Sequence, residues 1–600
     1  MLRLLHNASQ PALKSTQRRF LTSRFYDRPT LDFLLFDNPA IITPPTDATT
    51  QQVLDSASSF VDRYHHLDPL FDKFEPQFDP AFMNDRSSPT VSPVKMHEQV
   101  KEVLDAYSEG GFTAMHEMDL PFPSLTAVSA ITGSAFTSGV LGHWVLTQCA
   151  ANLLKAFGSP DLVAKYHEPL TDGRWTGTMA LSETQAGSSL VDISTKATPT
   201  DTPGTYRIKG NKMWTSGADH DMTENIIHML LAKTPDNKIS LFLVPKSIVN
   251  DDGSLGERND YTINGVNHKM GCRGISNCYW SLGDNSDGAT GYLIGEEGKG
   301  LQAMFLMMNE MRIHVGLSAA LCGKRGHLES LNYALERKQG RSPTTKEKET
   351  IVNYADVKRM LLTQKVHSEG ALALCLLASS LADSSKTSEE DKHVLDFLIP
   401  IVKSWPSEFC LEANKWAIQV LGGYGYTSDF PLSQIYRDNR LNMIHEGTHG
   451  IQSLDLLGRK IAGPGFPLLI ERMAGCVERA AKTGDDEIVP MASHVKSAVE
   501  RLVEVTKKLG GVGKSGDVQL MLANSHDYLN MAGTTVIGWL WLEMAIAAKA
   551  KSSDPSESFL HGKVNACQYF MIHELSKTKH QARLLESLDD TVIKTKVEEL

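Results

Sequence analysis

The sequence predicts an α+β protein in which a small β domain separates two helical regions. Three observations carry this reading. Long apolar runs with helical spacing occupy both flanks, the intervening stretch breaks into short alternating segments after Trp175, and turns rich in Gly, Pro and Asn punctuate those segments. At 600 residues the chain exceeds what one core serves. The expected division is a presequence at 1–25, a helical domain at 26–174, the β domain at 175–297, a second helical domain at 298–460 and a helical extension at 461–600. A hydrophobic content of 41% with 22% charged residues suits a globular enzyme, and the net charge of −11 argues against a nucleic-acid partner. Eight cysteines without a CxxC pair suggest neither a zinc ribbon nor a disulfide framework, and fit a reducing compartment or the mitochondrial matrix.

Taken in order, the first residues carry Arg3, Lys14, Arg18, Arg19 and Arg24 with no acid before Asp27, the composition of a mitochondrial presequence cleaved near Phe20. Short helices are expected near 53–64, a helix over 97–106 that stops at Gly110-Gly111, and one or two packed helices over 127–157. In the β region, 178–182 reads as a strand leading into a loop at 183–189, and 205–208 and 212–215 read as a hairpin about Gly210-Asn211. Strands at 226–232 and 239–244 are bridged by Pro235-Asp236-Asn237, and a last one ends at 291–294. From Gly300 the spacing predicts helices over 301–324, 328–337, 352–381 and 394–421. In the extension, Val495, Ala498, Val499, Leu502 and Leu509 mark one helix face, with a stop at Gly510-Gly511. The run 528–548 has the length of a membrane span, but Asn530 and Glu543 lie inside it, so a buried bundle helix and no transmembrane segment are expected.

The chemistry is expected in 419–452, where Gly422-Gly423 ends a helix and Glu446 stands between His445 and His449. HEGTH matches the H-E-x-x-H zinc pattern, in which two histidines one helical turn apart bind metal and the glutamate polarises water. That reading needs a regular helix through Gly447, which costs about 1 kcal/mol in a helix interior, and a third ligand. It also leaves unexplained MALSETQAGSS at 179–189, KMWTSG at 212–217, YALERKQ at 333–339 and QVLGGYGY at 419–426. These four, followed by IHEGT at 444–448, resemble in order and character the flavin-binding and catalytic segments of acyl-CoA dehydrogenases, over about 94–459.

The resemblance implies a four-helix bundle as the second helical domain, FAD as cofactor, and α,β-dehydrogenation of an acyl-CoA with Glu446 as the proton-abstracting base. It implies FAD contacts at Met179, Leu181, Ser182, Gly187, Ser188, Trp214, Thr215, Ser216, Arg337, Gln339, Gln419, Gly422, Gly423 and Thr448. Substrate contacts would fall at Ser188, Asn309, Arg312 and Gly447, with no metal. The residue types suit those tasks: hydroxyls and backbone N–H groups match the polar flavin edge, an aromatic covers its ring, and a guanidinium pairs with two phosphate oxygens. Asn309 replaces a common Asp, Thr184 a Pro, Ser182 a Thr, Ser189 an Asp, His445 a Tyr and Gly450 a Gln. The branch with 3-methylmercaptopropionyl-CoA dehydrogenase is the nearest in character, which implies a short- to medium-chain acyl-CoA, electron-transfer flavoprotein as acceptor and, with the extension covering a second-dimer surface, a homodimer. An acyl-CoA oxidase using oxygen and a non-catalytic, alkylation-response flavoprotein are the alternatives.

Overall fold

The computed structural model describes residues 25–600 except 46–47, 84, 86, 89, 119 and 553–557. The expected presequence at 1–25 lies, apart from Phe25, outside the described residues. The N-terminal region is helical: Arg28–Phe36, Ala48–Tyr64, Glu98–Glu109, Phe122–Ala135, Gly142–Phe157 and Pro160–Thr171. Glu98–Glu109 ends as the sequence indicates, with Gly111 at φ +74° turning the chain out of the helix.

An eight-stranded mixed sheet follows: β1 Trp175–Ala180, β2 Lys196–Pro199, β3 Thr205–Ser216, β4 Asn225–Lys233, β5 Ile239–Pro245, β6 Tyr261–Val266, β7 Asn277–Leu282 and β8 Ala289–Ile294. Its order is β6-β7-β3-β8-β5-β4-β1, with β2 beside β3 and β4. All of its pairs are antiparallel except β1 with β4 and the single β2–β4 contact. Alternation along β4 divides the core. Ile227, Met229 and Leu231 face the cluster shared with the Gly142–Phe157 and Pro160–Thr171 helices, while Leu230 and Ala232 face the cluster around Tyr261 and Trp280.

The hairpin expected at Gly210-Asn211 does not form. β3 is one continuous strand, and Gly210 at φ +153° bends it where a Cβ would meet Thr195 at 2.6 Å. The bend hands β3 from β8, opposite 205–208, to β7, opposite 210–216. The turn at Asn237 does form, with φ +61° between β4 and β5.

The second helical domain packs Gly300–Glu336, Ala355–Ser384 and Glu389–Leu421 around one core. The first is a single helix, not the two expected. The gap expected at 325–327 does not exist, and Gly323 and Gly326 are points of close approach, where a Cβ would lie 2.8 Å from Cys410 and 2.5 Å from Asn414 on the third helix. In the extension, Ile488–Lys514 runs through the expected Gly510-Gly511 stop, while the five face residues are all buried. Ser525–Lys551 is buried, as its polar residues imply. Trp541 Nε1 donates to Val366 O (3.0 Å), and Trp405 Nε1 donates to Thr534 Oγ1 (3.1 Å), so this helix docks into the bundle.

Candidate active site

Glu446 stands in a turn between the Leu432–Arg440 helix, extended by the 3-10 turn Leu441–Met443, and the His449–Gly458 helix. Glu446 has φ +55° and Gly447 φ +88°, two successive residues in the left-handed region. For the glutamate this costs on the order of 1–2 kcal/mol, so the surroundings must hold it. Gln452 Nε2 donates to Glu446 O (3.0 Å), Lys403 Nζ to Gly447 O (2.6 Å) and Ser407 Oγ to Asn442 O (3.0 Å). A Cβ at position 447 would lie 2.7 Å from Gln452 Nε2. The backbone N–H of Glu446 has no partner among the described residues.

The Glu446 side chain retains some access to solvent, yet the protein packed about it pushes its carboxyl up to about 7. Burial is the main cause, partly offset by the Arg312 and Lys403 cations. Arg312 is 8% exposed, donates through Nη1 to Asn309 Oδ1 (3.2 Å), and has an unpartnered Nε. His445 and His449 are each brought down to about 3 by burial and are therefore neutral. His445 Nε2 donates to Asn442 Oδ1 (3.1 Å), whereas the His449 ring lies 4.5 Å from that of His526 on the extension. The zinc pattern fails geometrically, since the helix begins at His449 and the left-handed turn separates it from His445. Among the described residues the one group spaced to hold a metal is Cys149, Glu310 and His314, which contains neither histidine.

The expected flavin loop leaves β1, which carries Met179, and continues through Leu181 and Ser182. It is folded around buried Glu183, which pairs with Lys212 (3.0 Å) and accepts from Ser194 N (2.6 Å), Ser194 Oγ (2.7 Å) and Thr195 N (3.0 Å). Burial opposes the Glu183 charge, but Lys212 and these donors outweigh it and hold the carboxyl down at about 2. Lys212 Nζ also donates to Leu181 O (3.1 Å), and Met213 N to Ser182 O (3.0 Å), locking the loop to β3. Gly187 and Ser188 are left exposed at its tip, with open space beside Gly187.

On β3, Trp214 is 59% exposed with φ +62°, and Asn277 Nδ2 donates to Trp214 O (3.1 Å) and Ser216 Oγ (3.2 Å). The Thr215 side chain is buried. It points into the sheet core and accepts from Trp280 Nε1 (3.0 Å), so only its backbone is offered to a ligand. Thr448 is likewise engaged, its Oγ1 capping the following helix by accepting from Ile451 N (3.3 Å). The sheet is tied to the helix leading into the Glu446 turn, because Asp438 Oδ1 accepts from Cys272 N (2.6 Å) and Arg437 Nη1 donates to Met270 O (2.7 Å).

The remaining expected residues form two other clefts. Arg337, Gln339, Gln419, Gly422 and Gly423 line one of about 490 Å³ with Tyr333 and Tyr424. Arg337 has no acidic partner among the described residues, and a Cβ at Gly422 or Gly423 would meet nothing within 4 Å. No residue of the β1–β3 group lines this cleft. Asn309 and Arg312 line a cleft of about 430 Å³ with His393, Arg459 and Lys460. Sequence reasoning missed Lys403, Glu183 and Lys212 as supports. The available signal was Lys403 as the only charge between Asp396 and Glu408, in an otherwise apolar run with two prolines.

With this geometry in hand, the sequence matches three family models. These are Acyl-CoA dehydrogenase, middle domain, over residues 178–284; Acyl-CoA dehydrogenase, C-terminal domain, over 298–461; and Acetyl-CoA dehydrogenase C-terminal like, over 469–596. The chain is 32% identical to 3-methylmercaptopropionyl-CoA dehydrogenase of Ruegeria pomeroyi, covering 80% of this chain and 84% of that one. It is 32% identical to a butyryl-CoA dehydrogenase of Syntrophomonas wolfei, covering 73% and 76%. Among solved structures, ACDH-11 of Caenorhabditis elegans in complex with C11-CoA superposes with a TM-score of 0.75 at 18% identity, covering 95% and 94%. An acyl-CoA dehydrogenase of Bacillus anthracis complexed with FAD gives 0.73 at 18%, covering 94% and 93%; at such identities the likeness establishes the fold.

Proposed function

The chain belongs to the acyl-CoA dehydrogenase family, and we propose that it dehydrogenates a short- to medium-chain acyl-CoA at the α,β bond with Glu446 as base. The observation that carries this reading is a carboxyl pushed up to about 7, beside an unpartnered backbone N–H and a partly unpaired arginine.

An acyl α-proton is too weak an acid for a carboxylate in water, so the site must both desolvate the base and stabilise the developing enolate. Glu446 takes the proton; the free N–H of Glu446 is a donor for the thioester oxygen. Arg312 lies on the wall of the 430 Å³ cleft, where Asp455 and Asp396 are paired with Arg459 and Lys460, so that Arg312 is the cation left to favour an anionic group. The residues present fit FAD. Trp214 and the open tip at Gly187 and Ser188 offer an aromatic face and backbone donors, and the Arg337 cleft offers an unpaired guanidinium between tyrosines and unobstructed glycines. When bound, FAD supplies the acceptor for the hydrogen leaving the β-carbon.

Because the flavin loop and the Arg337 cleft do not share a cavity in one chain, a homodimer in which each copy completes the other's cofactor site is part of the proposal. Electron-transfer flavoprotein as acceptor and a mitochondrial matrix location, resting on the basic N-terminal composition, belong to it as well. The dehydrogenase names of the relatives favour this reading over an oxidase or a non-catalytic flavoprotein. A panel of acyl-CoA thioesters added anaerobically tests it: flavin bleaching is expected with some members, and none with any member overturns it. Stoichiometric peroxide in air would point to the oxidase instead.

A further inference from the structure

Lys403 is the least expected group near Glu446. It is 0% exposed, its single hydrogen bond is to the Gly447 carbonyl at 2.6 Å, and it has no ion-pair partner among the described residues. A buried ammonium with one neutral acceptor is costly to keep, so a structural purpose alone would be better served by an apolar side chain. Its helix places it without freedom: Pro400 and Pro406 flank it, and Ser407 Oγ holds its own carbonyl at 2.6 Å. The carbonyl it grips belongs to the residue after the base, in the left-handed turn that aims the carboxylate.

We propose that Lys403 is a positioning residue for the base: its ammonium clamps the Glu446–Gly447 turn through the Gly447 carbonyl and keeps the Glu446 side chain in its anionic, proton-accepting form. This rests on the dehydrogenase reading of the site. Two cations act on Glu446, Arg312 from the Gly300–Glu336 helix and Lys403 from the Glu389–Leu421 helix. The other titratable groups facing this region are uncharged or one layer away. His445 and His449 are neutral through burial, the Cys149 thiol on the Gly142–Phe157 helix is pushed well up by burial, and His526 on the extension reaches the turn only through His449. Lys403 itself is brought down to about 7 by burial, against the pull of Glu446, so the two groups compete for a proton in the range where the enzyme would work. Arg312 also lines the 430 Å³ cleft, whereas Lys403 is fully buried. Lys403 is therefore the cation dedicated to the base.

The test compares the wild type with Lys403→Met, which keeps the stem and loses the charge, and Lys403→Gln, which keeps a donor for the Gly447 carbonyl. Lys403→Arg restores the charge. FAD absorbance and thermal melting report folding of each holoenzyme. Two readouts follow: the pH dependence of anaerobic flavin bleaching by acyl-CoA, and infrared titration of the Glu446 carboxyl, assigned by its loss in Glu446→Gln. In the neutral variants both titrations should move up by roughly one pH unit, so that bleaching slows about tenfold near pH 6 and recovers near pH 9. Lys403→Arg should keep the wild-type limb. A folded neutral variant whose carboxyl titrates as in the wild type overturns the proposal, as does a folded Lys403→Arg enzyme displaced like the neutral ones. If the wild type itself bleaches with no thioester, the dehydrogenase reading fails, while the infrared titration still decides the role of Lys403.

Discussion

The chemistry at residue scale turns on how one carboxylate is held. Glu446 is poised near 7 by burial, opposed by Arg312 and Lys403. Since a base works only when deprotonated, kcat/KM should rise with pH through an acid limb near 7 and level above it; a limb near 4.5 would mean a solvated carboxylate. Glu446→Gln should retain FAD and lose activity by about a thousandfold, the range general-base removal produces. Near-normal turnover in that variant would falsify the assignment. The sequence singled this residue out as the candidate base, through IHEGT in its setting of four other segments. Its supports were not legible there. Lys403 lies 43 positions upstream of Glu446, and Glu183 in the loop is fixed by Lys212 on a strand 29 positions later; neither juxtaposition leaves a local spacing to read.

Between elements, the Leu432–Arg440 helix couples the sheet to the Glu446 turn through a pair of buried acids. Asp438 accepts from Cys272 N and from Thr137 Oγ1 (3.1 Å), and Asp68 accepts from Gln434 Nε2 (3.0 Å) and Ser138 N (3.1 Å). Burial, with Asp68 as a neighbouring charge, pushes Asp438 up to about 8, and burial pushes Asp68 up as well. A carboxyl whose folded value exceeds its unfolded value of 3.8 contributes stability that is full below about pH 4 and is lost as pH rises through about 8. Thermal melting should therefore decline over that window, and Asp438→Asn, which can still accept from Cys272 N, should flatten the decline. At pH 8.5 the variant should melt on the order of a few degrees above the wild type; an unchanged slope would sink the idea. Element existence was readable from hydrophobic period and turn residues, but three glycine readings were not. Gly210 looks like a hairpin turn, the segment holding Gly326 falls between two expected helices, and Gly510-Gly511 looks like a stop. The first two instead admit a neighbouring segment of the same chain, at Thr195 and Asn414, and the third lies within a continuing helix.

For the whole molecule, the extension is part of the body. Glu369, on the Ala355–Ser384 helix, is fully buried and receives Lys324 (2.7 Å), Lys365 (2.8 Å) and Lys563 of the extension (2.8 Å), while Lys324 also pairs with Asp27 before the first described helix (2.6 Å). One anion thus joins the N-terminal region, the bundle and the extension. Glu369→Gln, leaving those ammonium groups short of a counter-charge, should cost about 3–5 kcal/mol in urea unfolding. A loss below 1 kcal/mol would show the network to be dispensable. Light scattering of the FAD-loaded protein should give twice the 66.1 kDa chain mass; a tetramer would overturn the dimer proposal. The sequence alone determined the α+β class and the family resemblance on which the proposed base rests, because period, turn chemistry and motif order are local properties of the chain. Tertiary structure alone decided how the base is poised, because desolvation and the fields of Lys403 and Arg312 exist only once distant segments pack together.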